Sequence, residues 1–547
     1  MISILKKIYF AFSKRERLTF FAAAFLAATS TIALTTGFIG QNTTVVPTSG
    51  GAYTEGLIGQ PSYPNPVLAS TETDKTLVRL LFSNVVGLSD KITPGENGKT
   101  WDIRLKENIF WSDGEKLTSD DVIFTVQKIQ SSEAGSPLAP SWQGVVPKRV
   151  SELEFTLTLG NPYVFFSKNL EALYVLPKHL FAETPPANWR LSRYNLAPVG
   201  SGPYAFDSYE SRADGFILFY HLKANQRFFE SKPLISDFNI EFFPNAQQLV
   251  NAFNAGQIDG FGGLEPHDAV GIKRSYGAYP FSLPSYYAVF FNQNQSIALQ
   301  DENARKALDA AVDRIALVQS VLDGKAEARF GPVPPTLAPG VDASSRTSID
   351  DTRTMLDKNG WQMNGDVRQK KIKSVSVPFE FDLTVPDIPF LVETAHQLQA
   401  DWRNIGAKIN LVIRPAEEIA NDAIKNRNYQ AILFGNVLNP DADLFAFWHS
   451  SERFYPGLNL SLYNRKQADQ LIETIRQTSD SDARRKKLSD LQTAITNDYP
   501  AVFLYSPSYL YFARKDLHGI NPGLIDEPAD RFLDVKSWYL KTARVLK

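Results

Sequence analysis

The sequence predicts a mixed α/β protein set behind a membrane-crossing N-terminal segment. Three observations carry this. From about residue 53, stretches with period-two and period-3.6 apolar patterning alternate along the chain. The 547 residues are 43 % hydrophobic, enough for two or three cores, and length alone suggests about three domains. Ahead of them, Leu18 to Gly40 carries no charge and follows Lys6, Lys7, Lys14, Arg15 and Arg17.

At ~1.5 Å per residue, Leu18–Gly40 is long enough for a hydrocarbon core of ~30 Å. The basic flank predicts a cytoplasmic N-terminus and an exported remainder. A cleaved signal peptide is the competing reading, since Thr35-Thr36-Gly37 offers small residues. The apolar run exceeds a usual signal core and lacks Ala-x-Ala spacing near its end, which favours an uncleaved anchor. Gln41 to Ala52 is small, polar and uncharged, and reads as a linker.

Within the body, Trp101–Leu105 and Leu153–Leu159 alternate like half-buried strands. Trp111 to Val126 reads as a turn at Asp113-Gly114 feeding a helix. There Thr118 and Asp121 have capping-box spacing, and Val122, Ile123, Val126 and Ile129 share a face. Gln247–Ala255 is helical, with Asn245 as cap and Gly256 as stop. Ser285–Asn292 is a strand. One long helix is expected from a cap at Asp301 to Gly324, with Ala304, Ala307, Leu308, Ala311, Val312 and Ile315 as its apolar stripe. Phe390–Asn404 is a helix stopped by Gly406, Lys408–Ile413 a strand, Glu417–Lys425 a helix and Tyr429–Phe434 a strand. A helix near Asp482–Thr496 leads into strands Ala501–Tyr505 and Tyr509–Phe512. This itinerary suits two lobes with crossovers near residues 286 and 500, a pair able to act as a hinge.

Composition and motifs exclude several activities. Lys+Arg (57) and Asp+Glu (59) leave a net charge of −2, without the basic excess of a nucleic-acid binder. With no cysteine, there is no disulfide, thiolate metal site, cysteine nucleophile or lipid-modified Cys. The histidines (His179, His221, His267, His396, His449, His518) show no metal-ligand spacing. Gly200-Ser201-Gly202 runs into Pro203-Tyr204 and makes no nucleophile elbow. Gly98-Lys99-Thr100 has Thr93 where a phosphate loop needs its first glycine, and reads as a hairpin turn. Asp120-Asp121 and Asp350-Asp351 sit at helix starts, where the dipole favours them.

Four segments carry a resemblance to the extracytoplasmic solute-binding proteins of peptide-type ABC importers, the oligopeptide, dipeptide and nickel-binding group. They are Trp111–Val126; Pro198–Glu210 (PVGSGPYAFDSYE); Asn292 with Arg305-Lys306-Ala307-Leu308 and Ala311-Val312-Asp313-Arg314; and Asn439-Pro440-Asp441 followed by Phe447-Trp448. Asn459, Tyr463-Asn464 and Asp469 extend the match. The resemblance, from about Thr54 onward, implies a two-lobed "Venus flytrap" of the type II periplasmic-binding-protein kind. Lobe I would comprise 53–285 and 501–547, with an inserted subdomain at about 83–190. Lobe II would comprise 286–500, preceded by a basic segment 1–17, an anchor 18–40 and a linker 41–52. It also implies a solute receptor rather than an enzyme, without cofactor or bound metal. Such a receptor captures a peptide or other small solute and delivers it to ABC permease subunits, as a monomer held to the membrane by its N-terminal helix. A peptide sensor or chaperone without an importer, and a surface hydrolase on the same scaffold, are the alternatives.

Peptide binders of this family place an Asp just before the Pro-Asp region to hold the ligand's α-amino group. The matching position here is Asn436, which keeps a hydrogen bond and loses the charge; Asp441 and Asp443 are near enough to replace it. The candidate ligand contacts are therefore Asn436, Asn439, Asp441, Trp448, Tyr287, Asn292 and Asn459. Each has a structural reading beside it. Asn436 and Asn439 suit a turn, Trp448 suits a core, and Tyr287 and Asn292 lie on the inter-lobe strand. Ser201 and Tyr204 are expected to shape backbone near the cleft.

Overall fold

The computed structural model describes residues 12–95, 98–264, 268–337, 348–372, 374–438 and 441–546. Asn439, Pro440, His267, Lys6 and Lys7 therefore lie outside the described residues. The helix Lys14–Asn42 stands clear of the body. Over Lys14–Thr36 it is long and apolar enough to cross a membrane, none of it is buried, and Leu18, Phe25 and Leu34 are exposed. Inside the expected linker, Thr43–Thr48 pairs antiparallel with Lys541–Leu546, which ties the foot of the helix to the body. The alternating Thr and Val side chains there suit a strand better than a loop.

Among the described residues, one twelve-stranded sheet runs through the whole body. Its spine is Ala501–Arg514. The first half of this strand pairs antiparallel with Ser285–Phe291 and Ala326–Ala328, the second half with Tyr276–Ser282 and Gly260–Gly262. Beyond Ser285–Phe291 come Ala431–Val437, Glu380–Pro386 and Lys408–Arg414, the last three mutually parallel. Beyond Gly260–Gly262 come the parallel strands Ala52–Ile58 and Asp237–Phe243, then Ile217–Ala224 and Tyr204–Ser211 in antiparallel order.

Burial divides this continuous sheet into two lobes. Val502, Leu504 and Tyr505 enter one core and Phe503 the core on the opposite face, both built around Ser285–Phe291. Tyr509 and Tyr511 enter the first lobe's main core, and Leu510 and Phe512 the smaller one behind it. The chain thus changes lobes at Leu283–Ser285 and at Ser506–Ser508, where the sequence suggested about 286 and 500. Two adjacent strands make both crossings, so little backbone has to rotate for the lobes to move.

A four-stranded antiparallel sheet, ordered Ser89–Pro94, Thr100–Leu105, Glu154–Thr158 and Val146–Arg149, forms a separate layer that shares the first lobe's core. Its helix Ser119–Ile129 begins as the capping-box spacing suggests, with Thr118 N donating to Asp121 Oδ2 at 2.9 Å. Helix Ala246–Ala255 has Asn245 Oδ1 accepting from Gln248 N, and Gly256 at φ 76° ends it.

Two helices differ from expectation. The long helix after Asp301 is two, Glu302–Ala310 and Arg314–Leu322. The path breaks at Asp313, whose backbone is extended and whose side chain caps the second, and buried Arg314 beside it turns its guanidinium onto the carbonyls of Phe503 and Arg329. Ile315, assigned to the apolar stripe, is consequently 65 % exposed. Glu417–Lys425 is a short α turn running into a π-helix at Ile419–Ile424.

Candidate ligand-binding cleft

The predicted contacts fall into distinct environments. At the end of strand Ala431–Val437, Asn436 Nδ2 and Trp448 Nε1 both donate to the hydroxyl of Tyr286, at 2.8 and 2.9 Å. All three side chains are buried, and burial pushes the Tyr286 phenol well up. The structure thus joins Asn436 and Trp448 through a tyrosine next to the one proposed from sequence. Asn292 donates to Arg427 O and accepts from Asn294 N, turning the chain after its strand. Asn459 donates to the carbonyls of His449 and Tyr463 and accepts from Tyr463 N, so it knots its own loop.

Tyr287 points elsewhere. Its ring meets Phe390 edge-on at 5.4 Å and lies 5.7 Å from Tyr505. With Phe390, Leu322 and Lys325 of the second lobe, it faces Glu72, Gly263, Tyr509 and Pro528 of the first across a cavity of about 250 Å³. A second cavity, about 280 Å³, is bounded by Ala69, Lys75, Arg79, Glu171, Asp526 and Glu527. Two chain segments line both cavities: 66–79, at the start of helix Glu72–Leu81, and 526–533. The two cavities adjoin along these segments: the apolar, aromatic end lies between the lobes, and the charged end lies within the first lobe.

At the charged end, Arg79 is clamped by Glu527 at 2.5 Å and Asp530 at 2.6 Å, and lies over the Tyr174 ring at 4.3 Å. Lys168 pairs with Glu171 and faces carboxylates of both lobes, Asp441 and Asp526. Burial pushes the Asp441 carboxyl up, with Lys168 and Arg484 pulling it back. The Asp526 carboxyl is pushed up to about 6 by burial and then by neighbouring Asp530, against the pull of Lys168. Both acids thus sit where the lobes meet. Beside them the segment after strand Glu154–Thr158 reaches across. Tyr163 Oη donates to Asp443 at 3.0 Å, Arg476 pairs with the same carboxylate at 3.2 Å, and Phe165 is buried in the second lobe's core.

A cleft between lobes that share two crossing strands is the architecture of a solute trap, and the comparisons agree. Residues 66–455 match the family model described as bacterial extracellular solute-binding proteins, family 5, middle region. The chain belongs to that family. It is similar to the oligopeptide-binding protein AppA of Bacillus subtilis (strain 168), 26 % identical over 510 residues covering 87 % of this chain and 91 % of the relative. Its fold is that of B. subtilis AppA in complex with a nonapeptide (TM-score 0.67, 23 % identity, 91 % of this chain and 100 % of that one). It is also that of the ABC transporter substrate-binding protein CtaP from Listeria monocytogenes (TM-score 0.75, 21 % identity, 90 % and 99 %). NikZ from Campylobacter jejuni in complex with Ni(L-His) shares it too (TM-score 0.68, 22 % identity, 89 % and 99 %).

In this family 5 protein the cleft walls that sequence reasoning missed are Glu72, Phe390, Asp526 and Glu527. Phe390 was read only as a helix start, and Glu72 too had a local signal that pointed elsewhere. Glu72 lies between Thr71 and Asp74, and Asp74 N does donate to Thr71 Oγ1, so the segment reads simply as a helix start.

The Tyr286 hub yields a direct prediction. Tyr286→Phe removes the acceptor of two buried N–H groups and is expected to cost about 2 kcal/mol. Urea unfolding followed by tryptophan fluorescence reads this. A loss under about 0.5 kcal/mol would mean that Asn436 and Trp448 find other partners.

Proposed function

We propose that this family 5 protein is a membrane-anchored peptide receptor that hands its cargo to the permease of an ABC importer. The observation that carries the reading is the aromatic-walled cavity between the lobes, with a charged end beside it in the first lobe, in a chain similar over most of its length to an oligopeptide-binding protein. A peptide suits such a cleft because strand edges and loop amides match its backbone, and the two ends accept unlike side chains. Closure exchanges the solute's water for fixed partners, so the ligand favours the closed state by its differential affinity.

In this reading Tyr287 and Asp441 keep the contact roles assigned from sequence. Asn436, Trp448, Asn292 and Asn459 hold the loops that bear those contacts. The exposed helix Lys14–Asn42 spans the membrane once with its N-terminus cytoplasmic, and the strand pair at its foot keeps the receptor close to the permease. The receptor works as a monomer.

Native mass spectrometry of the full chain, purified gently in detergent, tests this. A co-purified mass that is lost on denaturation and fragments as a peptide is the expected result. A released solute that is not a peptide, or a chain that binds no peptide when offered one, overturns the reading.

A further inference from the structure

The carboxylate of Glu72 is held in a way that the rest of the cleft is not. Its Oε1 accepts from Tyr509 Oη at 3.3 Å and from Arg531 Nη1 at 3.4 Å. Arg531 is fully buried, and its Nη2 is committed to Glu55 at 2.9 Å. Tyr511 and Tyr53 donate to the other Glu55 oxygen, at 2.7 and 3.3 Å. One guanidinium thus lies between two carboxylates, Glu55 inside the core and Glu72 at the surface, and the local charge is −1. Glu72 is 45 % exposed at its side chain and lines the apolar cavity. Beside it stands Gly263, at φ 78°, where an added Cβ would lie 3.9 Å from Glu72 Oε2. Glycine there leaves the space beside this second oxygen clear of a side chain. Across the cavity lie the rings of Tyr287 and Phe390, and Lys325, the cavity's own cation, has Asp323 at 3.9 Å.

A half-exposed carboxylate pinned through one oxygen at the wall of an aromatic-lined cavity is a receptor for a positively charged nitrogen. Opposing aromatic faces favour the same group and accommodate the alkyl stem that carries it. We propose that Glu72 is the cation-selecting residue of the cleft and takes an ammonium or guanidinium group of the bound solute. Tyr509 and Arg531 are its positioning residues. This rests on the peptide reading and adds to it a preference that Asn436, uncharged and committed to Tyr286, does not supply.

A peptide offers this group from a basic side chain or from its α-amine, and the test separates them. The full chain in detergent is titrated with four pools of random pentapeptides: containing lysine or norleucine in its place, each with free or acetylated N-termini. Bound peptides are read by native mass spectrometry. The wild-type chain is expected to prefer cationic pools by about tenfold or more, as for a charge-assisted hydrogen bond in a desolvated site. A preference that follows lysine assigns the side chain as the source; one that follows the free terminus assigns the α-amine. Glu72→Gln abolishes the preference. Tyr509→Phe, which keeps the ring and leaves Oε1 held by Arg531 alone, narrows it. A wild-type chain that binds the pools equally, or a Glu72→Gln chain that keeps its preference, overturns the assignment. A wild-type chain that binds no pool overturns the peptide reading and the Glu72 assignment with it.

Discussion

Gly200→Ala is expected to destabilise the protein by about 3 kcal/mol or more, or to prevent folding. A Cβ at position 200 would sit 1.8 Å from Leu81 O, and one at Gly202 would sit 2.6 Å from Leu81 C. Both obstacles are backbone, so no rotamer change relieves them. The approach is close because three hydrogen bonds draw the segments together. Gly202 N donates to Leu81 O and Ser112 N to Gly200 O, each at 2.8 Å, and Ser83 Oγ donates to Ser201 O at 2.9 Å. The Gly-Ser-Gly-Pro segment is therefore a seam. It joins the end of helix Glu72–Leu81, which bears Glu72 and Arg79, to the turn that starts the Trp111 block. Gly160 is the control, since nothing lies within 4 Å of its added Cβ; Gly160→Ala is expected within about 0.5 kcal/mol of wild type. Urea midpoints measured side by side decide the matter. Equal midpoints for the two variants would show that the seam is loose.

That seam also marks how far sequence reading reaches here. The Gly-Ser-Gly-Pro segment was recognisable as a motif, and Ser201 and Tyr204 were expected to shape backbone. Its partner, Leu81, lies more than a hundred residues away with no signal of its own. Features set by neighbours in sequence were legible: the cap at Asn245, the box at Thr118–Asp121, the strand Ser285–Phe291 and the exposed N-terminal helix. What failed was set from a distance. The helix after Asp301 breaks at Asp313, where the next residue, Arg314, is held by the Phe503 carbonyl almost 190 residues on. The cleft shows the same limit. Tyr287 was singled out because it lies on the crossing strand, whereas Glu72, Asp526 and Arg531 meet only through the fold of the first lobe, and Phe390 faces Glu72 from the second.

The buried ion pair behind Glu72 carries the other large effect. Arg531→Met leaves Glu55 uncompensated among Tyr53, Tyr511 and Phe532 and is expected to cost about 3–5 kcal/mol at neutral pH. Burial already pushes the Glu55 carboxyl above its ordinary range, with Arg531 opposing that rise. Without the guanidinium the carboxyl rises further, and the sign of the pH dependence follows. A carboxyl whose folded pKa exceeds its unfolded value destabilises the fold above the folded pKa. That penalty fades as pH falls toward the unfolded value of about 4.3. The Arg531→Met deficit should therefore be largest near pH 7.5 and shrink steadily down to about pH 5. Glu55→Gln in the same chain removes the stranded charge while its side-chain oxygen still accepts from Tyr511 and Tyr53. The double variant is expected to regain most of the loss, giving a coupling of about 2 kcal/mol or more between the two sites. Denaturant midpoints of wild type, both single variants and the double, at pH 7.5 and 5, measure it. If the single losses simply add, Glu55 and Arg531 act independently. Arg531 would then hold Glu72 without being held in turn, and the cleft's cation preference would survive Glu55→Gln untouched.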